Sequence, residues 1–170
     1  PAYSLVLEVD TTMDLASTKK TLAVITPVFP PYKGGIGTVA CENARMAMEA
    51  GVAVTVYTPR YRNSISNDQG DTPRIRRVSP LAHYGNAGFV PQLLWQVRHH
   101  DILHLHYPCI GATGATLIAK ILWRKKLVVT YHMDLIGKTR IMRFLFSLYT
   151  RVMLRLVVRL SDHIFITSYD

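Results

Sequence analysis

Short, uninterrupted apolar runs alternate along this chain with longer segments of helical period. Leu22-Ala-Val-Ile-Thr26, Val52-Ala-Val-Thr-Val-Tyr57, Asp101-Ile-Leu-His-Leu-His106, Leu127-Val-Val-Thr130 and His163-Ile-Phe-Ile-Thr167 read as strands, with Arg74–Val78 a shorter, edge-like one. Between them, Thr38–Ala50 (stopped by Gly51), 89–98, Thr113–Trp123 and a long segment from about Thr139 to Leu160 read as helices. Strands without polar alternation must be covered on both faces, and strands alternating with helices make a parallel sheet. The fold class predicted is therefore α/β, a Rossmann-like parallel sheet with helices on both faces. Residues 1–18 have weak periodicity, with a short strand at most at Leu5–Val9, and are treated as an appended segment before a domain spanning 19–170. The polar stretch from Asn63 to Pro73 reads as a surface loop.

At 170 residues the chain has the length of one domain, and 49% hydrophobic residues give it a real core. Its two cysteines, Cys41 and Cys109, are far apart in sequence and read as free thiols of a reducing compartment. No signal peptide is recognisable, because Glu8, Asp10 and Asp14 stand where a basic and then apolar stretch would be needed. The most apolar stretch, Ile141–Leu160, carries Arg143, Arg151, Arg155 and Arg159, each costly at mid-bilayer, so it does not read as a membrane span. The expected location is cytoplasmic.

Between the first strand and first helix lies Lys33-Gly34-Gly35-Ile36-Gly37. Backbone amides at a helix start form an anion site, and glycine lets a phosphate come close to the chain. Gly35-x-Gly37-x-x-Ala40 also matches the dinucleotide fingerprint. Against a nicotinamide enzyme stand the long, proline-rich loop from Pro27 to Lys33 and a second strand ending Tyr57-Thr58-Pro59-Arg60 without a ribose-binding carboxylate. Arg60 and Arg62 keep an NADP-dependent oxidoreductase as an alternative, and a helix-capping turn without a ligand is another.

With strand order 3-2-1-4-5-6, the glycine loop, His106 and His132 come to one rim of the sheet, beyond the carboxyl ends of the strands. His104 shares a strand face with His106 and reads as a satisfied packing residue. His104, His106, His132 and Asp134 have suitable types for a metal site, but nothing fixes tetrahedral spacing, and no metal or cofactor is expected.

Four blocks in order carry a family resemblance: Pro30-Pro31-Tyr-Lys-Gly34-Gly35-Ile-Gly37 with Gly51-Val-Ala-Val-Thr-Val-Tyr-Thr58; Asp101–His106; Val128-Val-Thr-Tyr-His132-Met-Asp134; and Ser161-Asp-His-Ile-Phe-Ile-Thr-Ser168. From Thr21 to Asp170 the chain resembles the N-terminal, acceptor-side domain of glycosyltransferase family 4, retaining enzymes of the two-domain GT-B architecture. The resemblance implies a hexosyltransferase-type parent enzyme that moves a sugar from a nucleotide-sugar donor to a hydroxyl acceptor. It further implies that Gly34, Gly35 and Gly37 face the donor diphosphate and that His132 is the catalytic residue. Tyr131, Asp134, Lys138 and His106 are weaker acceptor-side candidates. A donor-binding C-terminal domain and the last strand-helix unit of this domain are expected but not found within these residues, and the 170-residue chain alone is expected not to transfer sugar.

A formal charge of +9, from 20 Lys and Arg against 11 Asp and Glu, favours polyanionic partners. No acidic residue lies between Gly137 and Ser161, where Lys138, Arg140, Arg143, Arg151, Arg155 and Arg159 fall among large apolar residues. That profile suits a helix lying on an anionic membrane surface, hence peripheral attachment at the inner face of a membrane and a sugar or lipid-linked acceptor. A core helix with a solvated arginine stripe is the other reading. Nucleic acid is not expected, since no aromatic stacking platform accompanies the arginines. A non-catalytic membrane-surface or partner-binding module of the same fold is the alternative from another class.

Overall fold

The structure is a computed structural model that describes residues 19–32, 34–60, 73–84, 87–133, 137 and 139–167. The surface loop read at 63–73, the 1–18 segment with its possible strand, and the candidate residues Asp134 and Lys138 thus fall wholly or mainly outside the described residues.

Six parallel strands form the sheet: β1 (Thr21–Ile25), β2 (Ala53–Pro59), β3 (Arg74–Val78), β6 (Ile102–Tyr107), β7 (Lys126–Tyr131) and β8 (His163–Ile166). Their order is β3-β2-β1-β6-β7-β8, so the chain reverses direction across the sheet between β1 and β6. The predicted order is the observed one. Around the sheet lie α1 (Gly35–Glu49), the single turn α2 (Leu93–Gln96), α3 (Thr113–Leu122) and α4 (Arg140–Leu160).

Alternation along the central strands divides the core into two layers. Leu22 and Val24 of β1 point to the side where Ala40 and Ala44 of α1 pack with Val54 and Val56. Ala23 and Ile25 point to the other side, against Leu93, Leu117, Ala119 and Val157 from α2, α3 and α4. Both faces are therefore covered by helices, which is why these strands read as near-continuous apolar runs, with His104 and His106 of β6 as buried exceptions. Two carboxylates tie down the amino-terminal edge of the sheet. Asp101 accepts hydrogen bonds from Thr21 N at 2.9 Å and Thr21 Oγ1 at 2.8 Å. Asp162 accepts from Leu127 N at 2.7 Å and pairs with Lys120 Nζ at 2.5 Å.

The middle of the chain differs from the sequence reading. A small antiparallel hairpin, β4 (Ala82–Tyr84) and β5 (Ala87–Phe89), precedes α2. The helix expected over 89–98 shrinks to Leu93–Gln96, because Phe89 is committed to the hairpin and Val90 N donates to Gly111 O at 3.2 Å. Gly111 sits at φ +89°, and a Cβ added to it would run into the backbone of Gly88 and Phe89. That close approach leaves no room for a Cβ and locks the hairpin onto the loop after β6.

The long helix α4 puts one face inward and leaves the other open. Val157 is buried, with Phe146, Tyr149, Thr150, Met153, Leu154 and Leu160 partly so. Outward lie Ile141 (74% exposed), Phe144 (68%), Leu145 and Leu148, followed by exposed Arg151, Arg155 and Arg159. Among the described residues no helix is long and apolar enough to cross a membrane.

Candidate functional site

Because β1, β6 and β7 are adjacent and parallel, the segments that leave their carboxyl ends emerge at one rim of the sheet. From β1 the chain runs through buried Thr26, Val28 and Phe29 into α1. Thr26 Oγ1 donates to Val28 O at 2.8 Å and Arg77 donates to Pro30 O at 2.6 Å, which shapes this loop from both ends.

The first helical bond of α1 runs from Thr38 N to Gly34 O at 3.0 Å, and no side chain caps the helix start. The amides of Gly35, Ile36 and Gly37 therefore have no acceptor from the helix, and no acidic side chain occupies the first turn. The three glycines differ. A Cβ on Gly37 would stand 3.1 Å from Val28 O, so this glycine lets helix and loop pack. A Cβ on Gly35 would meet nothing within 4 Å, and one on Gly34 nothing nearer than Val28 Cγ2 at 3.7 Å. Neither lies in the left-handed region, Gly34 being fully extended at φ 176°. The fold itself does not demand glycine at 34 and 35; open space above free amides is what an approaching anion needs.

At the ends of β6 and β7 the histidines cluster. His106 lies opposite Thr130 in the β6–β7 register, and His132 N donates to Tyr107 O at 3.0 Å, which extends the ladder one residue past β7. His104 is buried, with Nε2 2.8 Å from Thr130 Oγ1. It has the satisfied packing position its sequence context suggests. His106 is fully buried, and its Nδ1 lies 2.9 Å from Nε2 of half-buried His132. The rings of His106 and His132 stack with centroids 5.2 Å apart, and those of His104 and His106 lie 4.6 Å apart. Burial pushes His132 down to about 4, and His104 to the same value with a smaller contribution from His132. His106 is driven well below the ordinary histidine value by burial and by its two neighbours. All three are therefore neutral near pH 7, and His132 can donate one hydrogen bond and accept another.

His106 thus reaches the rim only through His132. Tyr131 is partly buried, its ring stacked on buried Tyr107 with centroids 5.8 Å apart. Arg60, the residue considered for a ribose phosphate, is exposed past the end of β2. Cys41 is partly exposed and Cys109 buried, and neither forms a disulfide; burial pushes the Cys109 thiol up to about 12, which makes it inert. Among the described residues no group of three or more His, Cys, Asp or Glu is placed to hold a metal ion. Sequence reasoning did not anticipate the His106–His132 bond, which depends on a parallel register that no local pattern encodes.

An open parallel sheet with a reversal point, a glycine-rich uncapped helix start and an imidazole at the same rim defines an α/β ligand-binding domain of the Rossmann-like class. The family model described as Glycosyltransferase Family 4 matches residues 33–170, and the chain belongs to that family. It is accordingly a domain of a glycosyltransferase-type enzyme, a class that acts on a sugar donor and an acceptor. No curated protein matches the chain significantly. A solved structure, that of a phenylacrylic acid decarboxylase from Aquifex aeolicus, covers 90% of this chain and 84% of its own, at 13% identity and a TM-score of 0.49. A likeness that distant carries no argument about activity.

Proposed function

We propose that this domain forms the acceptor side of a retaining sugar transfer from a nucleotide-sugar donor to a hydroxyl, with the donor diphosphate at the start of α1 and His132 against the transferring sugar or acceptor. The observation that carries the reading is the pair Gly34 and Gly35, open above uncapped amides at the same rim as His132. The amides and the positive helix end would stabilise the charge that develops on the leaving diphosphate. The hydroxyl attacks the anomeric carbon on the face from which the phosphate departs. The carbon–phosphate oxygen bond breaks as the new glycosidic bond forms, and the hydroxyl proton passes to the departing phosphate oxygen. His132 is neutral and hydrogen-bonds a substrate oxygen; no proton need pass through it. A second domain of the same architecture would grip the nucleotide, so the present residues alone would turn over no donor.

The test is His132→Ala in the active transferase, with turnover per folded molecule read beside thermal melting. Turnover should fall far more than stability, since a half-exposed rim residue holds little of the core. A sharp drop in melting temperature with normal turnover would make His132 structural.

A second element of the reading concerns the membrane. Ile141, Phe144, Leu145 and Leu148 stand outward on α4 and are followed on that face by Arg151, Arg155 and Arg159, with exposed Arg140 and Arg143 beside them. Apolar area with flanking cations suits the headgroup boundary of an anionic bilayer, where a lipid-linked acceptor would be presented. A module that binds membrane without catalysis would keep this helix and lose nothing on mutation of His132, so the two experiments separate the readings.

A further inference from the structure

The stacked pair His106–His132 contains a constraint on where the protons lie. Two neutral imidazoles joined through His106 Nδ1 and His132 Nε2 at 2.9 Å share one proton between those atoms, and two arrangements satisfy the bond. In the first, His106 donates from Nδ1, its Nε2 is a bare lone pair, and His132 carries its own proton on Nδ1. In the second, His132 donates from Nε2, and His106 must carry its proton on Nε2.

The surroundings of His106 Nε2 decide between them. That atom is buried without a hydrogen-bond partner among the described residues, and the whole residue is fully shielded from solvent. The second arrangement would therefore bury an orphaned N–H donor. Orphaned buried N–H groups are rarer than under-satisfied acceptors, and an unmet donor costs its desolvation outright. The first arrangement leaves only an unfilled lone pair. Protonating both nitrogens of either ring is disfavoured by burial, as the depressed histidine values show.

We infer that His106 is a positioning residue that donates from Nδ1 to His132 Nε2 and so fixes His132 as the Nδ1–H tautomer, with a hydrogen-bond donor on the nitrogen away from the core. His132 then offers the substrate an N–H and no free basic lone pair: Nε2 is engaged with His106 and Nδ1 is already protonated. It is suited to an acceptor atom such as a sugar hydroxyl or phosphate oxygen, and is unable to serve as a general base without first breaking its bond to His106. The consequence for catalysis rests on the proposal that His132 faces the substrate; the tautomer itself does not.

Long-range proton–nitrogen correlation spectra of the 170-residue chain carrying nitrogen-15 histidine read the tautomers directly, with no substrate present. Expected at neutral pH are protonated-type Nδ1 and bare-type Nε2 shifts for both His106 and His132. In His106→Leu the donor is gone, and the His132 shifts should exchange toward the Nε2–H form that a free histidine favours. His106→Asn places an amide donor close to where Nδ1 stood and should restore the native pattern. A native His132 protonated on Nε2 would overturn the inference, and so would shifts unchanged in a folded His106→Leu protein. Should the leucine variant fail to fold, the native and asparagine spectra still decide. If the tautomer is as stated while His132→Ala retains full turnover, the functional proposal fails and the tautomer stands.

Discussion

Acid should destabilise this domain through its buried imidazoles, and His104 is the group for which the size can be worked out. It is 8% exposed, with Nε2 2.8 Å from Thr130 Oγ1, and burial lowers its pKa from 6.5 to about 4. A folded-state value below the unfolded one means that the unfolded chain takes up the proton first as the pH falls. The stability is whole above the unfolded value of 6.5 and is lost progressively down to about 4, where the folded ring also titrates. At about 1.36 kcal/mol per pKa unit, this single group removes about 2 kcal/mol between pH 7 and pH 5, and about 3 kcal/mol once the pH is below both values. Against a typical total of about 5–15 kcal/mol that is a large share. Urea unfolding at pH 7 and pH 5 measures it, with the native chain compared to His104→Gln, whose amide nitrogen can stand where Nε2 met Thr130. The variant should lose about 2 kcal/mol less than the native chain over the same step, with an unchanged m-value. An equal loss in both proteins would show that His104 is not held neutral by the fold.

Three further outcomes follow from the geometry. Gly35→Ala should leave the melting temperature within about a degree or raise it, because its Cβ meets open space and alanine favours helix, whereas Gly37→Ala, pressed against Val28 O, should lower stability by about 1–3 kcal/mol; thermal melts of the two variants check the contrast. Leu105→Ala empties a fully buried site in the layer between the sheet and α2, α3 and α4 and should cost about 2–5 kcal/mol in urea unfolding. Pelleting with vesicles containing phosphatidylglycerol should be strong at low salt, weaken as salt is added, and be largely lost in the Arg151, Arg155 and Arg159 triple-glutamate variant. Equal pelleting by that variant would remove the membrane role of α4.

The sheet was legible because parallel central strands, covered on both faces, must be apolar without alternation. Leu103, Leu105, Leu127 and Val129 are wholly buried and say so in sequence. The hairpin was missed for the opposite reason. Three-residue strands such as Ala82–Tyr84 and Ala87–Phe89 are too short to give a periodicity. Helix α1 begins at Gly35, earlier than its residue preferences suggest, because an N-terminal turn tolerates glycine where an interior turn would not. At the site, topology alone brought the glycine loop and His132 to one rim. The buried link from His106 to His132 was not legible, since it requires knowing that His106 pairs in register with Thr130, two residues before His132 on the same strand face.

The claim on which the rest depends is that Gly35, Ile36 and Gly37 present free amides to an anion. Titration of the nitrogen-15-labelled chain with inorganic pyrophosphate, followed residue by residue in amide correlation spectra, tests it without requiring turnover. Expected are saturable shifts largest at Gly35, Ile36 and Gly37, which weaken with salt and shrink when Gly35 is replaced by a bulkier residue such as valine. Shifts confined to the arginines of α4, or none at the start of α1, would contradict the placement of the donor diphosphate.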